Sequence, residues 1–396
     1  MNKIIIILIL IIIFVTIQIF KFQLYLMLIF NKGIINPDRF WWHISDILLD
    51  KHDFINFVKS YEYGKHIKNI FGYNINIVNS LSDISFILNN SPNRYKRGNI
   101  KYNFLKKMMK HNIGITYDTE EWIQLRKQNE YVLSTQFIKS NIITNLTDII
   151  INETNKISLY NSFESFETLA KNITKIILFG HTDVSDDIFT IIETPSYFEI
   201  NSDKENNHYE ILRNIINNTK INENSLLGRF SEITNIKSDV SLDQIPHWIF
   251  PIRNTIILTL PKLLKFDSIY NVDVPVRNKI LEIVRLYNQV VTLFRLDSET
   301  NEEYLIFIQM FLRNEKYFEN PHAYRPERWN DPNLENQYYS LMFSQGPQIC
   351  PGKNIIIHIL TILYEQIKIK FYSSIELNID DLPDNINPFT FFAKNL

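Results

Sequence analysis

Apolar positions fall along this chain in two different patterns. Ile4 to Phe20 is almost unbroken apolar sequence, interrupted only by Thr16 and Gln18; Lys21 and Gln23 follow, and Leu24 to Phe30 is apolar again. A bilayer core takes about 20 apolar residues of helix. The run is long for a signal peptide and no small-x-small cleavage pattern follows it. It predicts a retained anchor over residues 1–31, and Lys3, the only nearby N-terminal charge, gives only a weak orientation. Beyond it, apolar residues recur at helical or strand spacing. Asn74 to Leu88 alternates loosely, as strands followed by a short helix would. Ile142 to Phe179 carries the spacing of long amphipathic helices, and Glu199 to Asn224 reads as a polar loop and a surface helix. A long helix is expected from Asp243 to Leu260, with Pro246 in its first turn and Pro251 inside it, where it must free a carbonyl. Leu281 to Leu286 lies in another helix, and Val290 to Leu296 is strand-like. From Lys353 to Lys370 the residues Ile356, Ile359, Leu360, Leu363 and Ile367 share one side of a helix. Helices dominate.

Composition adds exclusions. The 396 residues carry 41 Lys and Arg against 43 Asp and Glu, for a net charge of −2. Such a mixed balance argues against a nucleic-acid surface. One cysteine rules out an internal disulfide framework. No internal repeat is visible. Heavy use of asparagine makes the sequons at Asn145, Asn152, Asn172 and Asn217 weak indicators of glycosylation. His181, Asp183 and Asp186 have no recognised metal spacing and read as a solvated turn.

The richest chemistry lies near the C-terminus, in Phe343-Ser344-Gln345-Gly346-Pro347-Gln348-Ile349-Cys350-Pro351-Gly352. Glycine and proline crowd around the single cysteine of a chain with only 9 glycines, so this reads as a rigid loop presenting one sulfur. A helix follows directly, and the dipoles of its first amides are expected to lower the thiol pKa. Without context, a lone cysteine reads as a small buried hydrophobe. Three further constellations stand upstream. Trp122 and Arg126 are four apart on an expected helix, so an indole donor and a guanidinium share a face suited to a carboxylate. Glu282 and Arg285 are three apart and can pair along one helix face. Tyr324-Arg325-Pro326-Glu327-Arg328-Trp329 stands between that pair and the cysteine loop.

In this order, the four elements resemble those of the cytochrome P450 family. Phe-x-x-Gly-x-x-x-Cys-x-Gly is similar to its haem-binding loop, in which the cysteine ligates the haem iron. The resemblance covers about residue 36 to the end and implies a mainly α fold with a small β lobe, here behind the membrane anchor. It implies haem b (iron protoporphyrin IX) ligated by Cys350, with Phe343, Gly346, Gln348 and Gly352 shaping the loop. Gln348 stands where the family usually has a basic residue. Trp122 and Arg126 would hold one haem propionate and Arg295 a second. Glu282, Arg285 and Arg328 would form a buried charge network. In the helix above the haem the family has an acid–alcohol pair; the matching positions are Asn254 and Thr255, and asparagine cannot relay a proton as a carboxylate does.

The resemblance implies a monooxygenase inserting one oxygen atom from O2 into a lipophilic small molecule. No flavin or nicotinamide fingerprint is present, so electrons would come from an NADPH-dependent reductase or another donor. A second reading keeps the fold as a hydroperoxide isomerase or peroxygenase, which Asn254 and the crowded Pro251-Ile252 favour. A third is a non-catalytic haem or lipid binder. Microsomal members of the family are single-pass membrane proteins with a cytosolic catalytic domain, which would put residues 36–396 on the cytosolic face of an endoplasmic-reticulum-like membrane.

Overall fold

The computed structural model describes residues 66–68, 74–78, 80–97, 120–135, 141–193, 202–288, 290 and 292–371. The expected anchor over residues 1–31 lies outside the described residues. Among the described residues no helix is long and apolar enough to cross a membrane.

Helices form most of the structure and one mixed sheet stands at its side. In chain order come strands β1 (His66–Lys68) and β2 (Asn74–Val78), helix α1 (Leu81–Asn89) and strand β3 (Tyr95–Lys96). Helices α2 (Glu120–Val132), α3 (Asn141–Asn155), α4 (Phe163–Phe179), α5 (Ser202–Asn218), α6 (Leu226–Ser231), α7 (Gln244–Tyr270) and α8 (Val276–Leu286) follow. Strands β4 (Thr292–Asp297) and β5 (Glu303–Phe307) complete the sheet. Helices α9 (Pro332–Met342) and α10 (Lys353–Ile367) flank the cysteine loop. The sheet order is β1-β2-β5-β4-β3, with β2 and β5 parallel and the other neighbours antiparallel. The expected small β lobe thus joins strands from residues 66–96 to strands from residues 292–307.

The core is helical. α7 packs against α4, α8 and α10, while α3 packs against α4 and α10. Local sequence explains the ends of α4: Ser162 and Ser165 cap each other's backbone amides, and Gly180 closes the helix at φ 88°. The largest departure from sequence expectation is α7, which runs ten residues past Leu260, through both Pro251 and Pro261. A helix-interior proline costs about 3 kcal/mol. Leu260, Leu263, Leu264 and Phe266 are almost fully buried, and each contributes roughly 1.5–3 kcal/mol. Packing therefore carries the helix past the second proline. Asn271, at φ 44°, ends it.

Candidate active site

The cysteine loop is held by its own backbone and by α1. The Cys350 amide donates to the Phe343 carbonyl at 2.7 Å and that of Ile349 to Gly346 at 3.0 Å. Ser344 and Gly346 take positive φ angles of 64° and 84°. A Cβ at Gly346 would run into the carbonyl oxygen of Leu88, so the loop touches α1 backbone to backbone. Gly352 is different. A Cβ there would stand 4.0 Å from Cys350 Sγ and 3.9 Å from Leu133 Cδ1, without a clash. Its missing side chain keeps space open beside the sulfur.

Cys350 faces a cavity of about 220 Å³. The loop and the start of α10 form its floor, with Phe343, Ser344, Cys350 and Gly352. Helix α7 forms the facing wall with His247, Trp248, Pro251, Ile252, Thr255 and Thr259, and Val284, Tyr287 and Asn288 close a side. The lining is chiefly apolar and, among the described residues, holds no carboxylate. Sequence positions about a hundred residues apart, Thr255 and Cys350, thus open on one space.

The sulfur's electrostatics combine two opposed effects. Although exposed by surface, Cys350 is crowded by chiefly apolar neighbours, and this burial pushes its thiol pKa up. The amides of Gly352 and Lys353, and the charges of Arg126 and Lys353, pull it down without overcoming burial. The helix N-terminus acts on the sulfur as the sequence suggested, but the net direction is opposite. A bound cation would reverse it, since coordination deprotonates a thiol. The donor set therefore fits a metal of thiolate preference in an apolar cleft, as haem iron is.

Arg126 is bonded to the cysteine loop. Its Nη2 donates to the Ile349 carbonyl at 2.5 Å and its Nε to Glu130 at 2.7 Å. Trp122 lies one turn earlier in α2; its side chain is outside the described residues. Gln348 is buried but does not line the cavity, and Gly346 serves the contact with α1. Arg295 is buried in β4, donating to Ser91 Oγ at 3.0 Å and to the Phe294 carbonyl at 2.8 Å. Thr255 lines the cavity and Asn254 does not; the Asn254 side chain meets Arg253 at 3.5 Å instead.

Glu282 and Arg285 on α8 meet Arg328 of the Pro326–Asn330 turn. Glu282 and Arg285 are fully buried. Two guanidinium nitrogens of Arg285 donate to the two carboxylate oxygens at 2.7 and 3.0 Å, and Arg328 Nε donates at 3.1 Å. Trp329 Nε1 adds a fourth donor at 3.0 Å and the Arg325 amide a fifth at 3.1 Å. Burial pushes the Glu282 carboxyl up, but Arg285, Arg328 and the Arg325 amide outweigh it and hold it below the usual range. His181 and Asp186 have ordinary partners, the Lys220 carbonyl at 2.6 Å and Lys175 at 2.5 Å. Among the described residues no cluster suits a metal ion of its own.

Sequence reasoning did not single out His247 or Asn288 for this site. The signal for the first was present: His247, Pro251, Thr255 and Thr259 form one i, i+4 row on α7. Asn288 braces the floor, donating to the Met342 carbonyl at 3.0 Å. Nothing in its local sequence shows that.

Comparison with known proteins agrees with this geometry. Residues 299–376, which contain Arg328 and the whole cysteine loop, match the sequence model of the cytochrome P450 family. The retinoic-acid-bound cyanobacterial CYP120A1 superposes with a TM-score of 0.62 over 81% of this chain and 87% of that one, at 13% identity. No curated protein matches the chain in sequence. The fold and the C-terminal signature are those of the cytochrome P450 family. That family binds haem, and its members are in general monooxygenases that take lipophilic substrates and draw electrons from a redox partner.

Proposed function

We propose that this chain is a haem-thiolate monooxygenase acting on a lipophilic small molecule, with electrons from a separate reductase. One observation carries the reading: Cys350 and Thr255, from different elements, line the same chiefly apolar cavity. When bound, haem b would supply a thiolate-ligated iron competent in oxygen chemistry. Cys350 Sγ would hold the metal, its charge supported by the Gly352 and Lys353 amides. Arg126, with Trp122, would bind one propionate and Arg295 a second. The isoleucines of α10 and the apolar face of α7 would exclude water. Thr255 would hold a proton at its hydroxyl where oxygen is reduced. Residues 1–31 would anchor residues 36–396 to a membrane, with the haem domain on the cytosolic side.

The test is the reduced, carbon-monoxide-bound difference spectrum of the full chain beside Cys350→Ser. A red-shifted Soret band, lost in the variant, supports the reading; folded protein that takes up no haem sinks it. Thr255→Ala should then keep haem content and lower reductase-supported product by about 10²-fold.

A second reading has an observation of its own. Among the described residues the cavity lining contains no carboxylate, and Asn254 is not part of it, which suits a hydroperoxide isomerase or peroxygenase that needs no acid relay. Turnover of an organic hydroperoxide without reductase, and none with reductase and O2, would select it.

A further inference from the structure

A run of aromatic rings leads from the cavity wall into the core. Tyr287 lines the cavity. Its ring lies 5.8 Å, centroid to centroid, from that of Phe266 on α7, which lies 5.0 Å from Tyr324. Tyr270 closes the group, 5.3 Å from Tyr324 and stacked on Phe266 at 6.1 Å. Tyr364 on α10 joins it through a carboxylate, donating its hydroxyl proton to Oδ2 of Asp267, the residue after Phe266. Lys279 Nζ holds the other oxygen, Oδ1, at 2.5 Å. Phe266, Tyr287, Tyr324 and Tyr364 are all buried. Packing alone explains why core rings meet edge to face or offset. Phenylalanines would serve that purpose without burying a hydroxyl.

Two of the phenols differ in what their hydroxyls meet. The Tyr324 hydroxyl is buried without a hydrogen-bond partner. Burial, with the charges of Asp267 and Glu282, makes it hold its proton more tightly than an ordinary phenol. The Tyr364 hydroxyl is bonded to a carboxylate. A phenol that loses an electron becomes a strong acid, and an acceptor already in its hydrogen bond can take the proton without any group moving. Lys279 and Lys368 stand 5.8 and 5.7 Å from the Tyr364 ring centroid and oppose positive charge there, which favours the neutral, deprotonated radical. Arg313, 5.3 Å from the Tyr287 centroid, opposes positive charge beside the cavity. An electron vacancy formed at the cavity therefore comes to rest at Tyr364. We propose that Tyr364 is a redox-active tyrosine that yields one electron through these rings to an oxidant in the cavity and its proton to Asp267. The inference goes beyond oxygen insertion and rests on the proposed function only in that haem fills the cavity. The oxidant class is an organic hydroperoxide. In net terms its O–O bond breaks as it takes up two electrons and two solvent protons, leaving an alcohol and water. Tyr364 supplies one electron and the bound haem the other. The Tyr364 O–H bond breaks, its proton passes to Asp267 Oδ2, and a neutral phenoxyl radical remains. Oxidising equivalents that meet no substrate are thus drawn away from Cys350.

The test is electron paramagnetic resonance of the full chain loaded with haem, mixed with cumene hydroperoxide and frozen. The carbon-monoxide spectrum of the same sample shows that each variant is folded and loaded. The native protein should give an organic-radical signal whose hyperfine structure collapses when its tyrosines carry deuterated rings. Tyr364→Phe keeps the ring and loses the O–H; Asp267→Asn keeps the shape and loses the proton acceptor. Each should lower the signal to about a tenth or less. Tyr338→Phe, at a tyrosine buried against Phe311 and Phe318 and outside this run of rings, should leave it unchanged. No tyrosyl signal in the native protein, an unchanged signal in Tyr364→Phe or Asp267→Asn, or an equal loss in Tyr338→Phe would overturn the assignment. With a carbon-monoxide band present, each of those results leaves the haem reading standing. A native chain without that band would overturn both.

Discussion

Gly346 shows how a single residue is constrained from two sides. Its φ of 84° is a conformation that side chains resist, and a Cβ would strike the Leu88 carbonyl. Gly346→Ala must therefore strain the backbone and push the loop off α1, at an expected cost of about 2–4 kcal/mol. Gly352→Ala meets no such wall and should cost under about 1 kcal/mol of stability, but it puts a methyl group into the open space beside Cys350. Urea unfolding of both variants in the haem-free state checks the contrast; equal costs would remove the distinction between a packing glycine and a clearance glycine. The sequence marked both as loop glycines. Only their neighbours tell them apart.

At the scale of the element, α7 carries both the cavity wall and an unusual buried cation. Lys262 is 6% exposed, donates to the Leu258 carbonyl at 2.9 Å and lies 5.2 Å from the Tyr287 ring centroid. Burial, with repulsion from Arg313, brings its pKa down to about 7. The unfolded chain, with an ordinary lysine near 10.4, binds more protons than the folded one between those values. Stability therefore falls as pH drops from about 10 to about 7 and is not lowered further below that. Lys262→Met should stabilise the protein by a margin that grows by about 1.4 kcal/mol per pH unit across that window. A margin that stays flat from pH 10 to pH 7 would show the lysine to be charged in the fold. The helix itself was legible from Asp243 to Leu260, because its apolar row is regular. Its passage beyond Pro261 was not, because the burial that offsets a proline comes from α4, α8 and α10.

For the whole molecule, the Glu282 network links α8 to the Pro326–Asn330 turn and, through Arg285, to the Leu312, Pro321 and Ala323 carbonyls. Removing one charge from a fully buried ion pair leaves the other unpaired, at a cost of about 3–5 kcal/mol. Glu282→Gln is expected to lose that much at pH 7. Because the folded carboxyl is held below its ordinary value, its stabilisation is complete above about pH 4.3 and is lost as pH falls through the folded value. The gap between native protein and variant should hence close in acid. A loss under about 1 kcal/mol at pH 7, by denaturant titration, would mean the network is dispensable.

The amino-acid sequence by itself determined the helical character, the capped ends of α4, the rigid cysteine loop and the pairing of Glu282 with Arg285. Each depends on residues within a few positions of one another, where dihedral preference and side-chain spacing suffice. It also indicated through ordered motifs that distant segments would cooperate around Cys350. What only the tertiary structure decided are effects of enclosure and of facing atoms. The sheet joins residues 66–96 to residues 292–307. Burial outweighs the helix amides at Cys350. Asn254 leaves the cavity while Thr255 stays, and hydrogen bonds link Trp248 on α7, through Asn129 on α2, to Gln244 and His247 of the same helix. Desolvation and hydrogen-bond direction depend on which groups meet across the fold, and no local pattern encodes that.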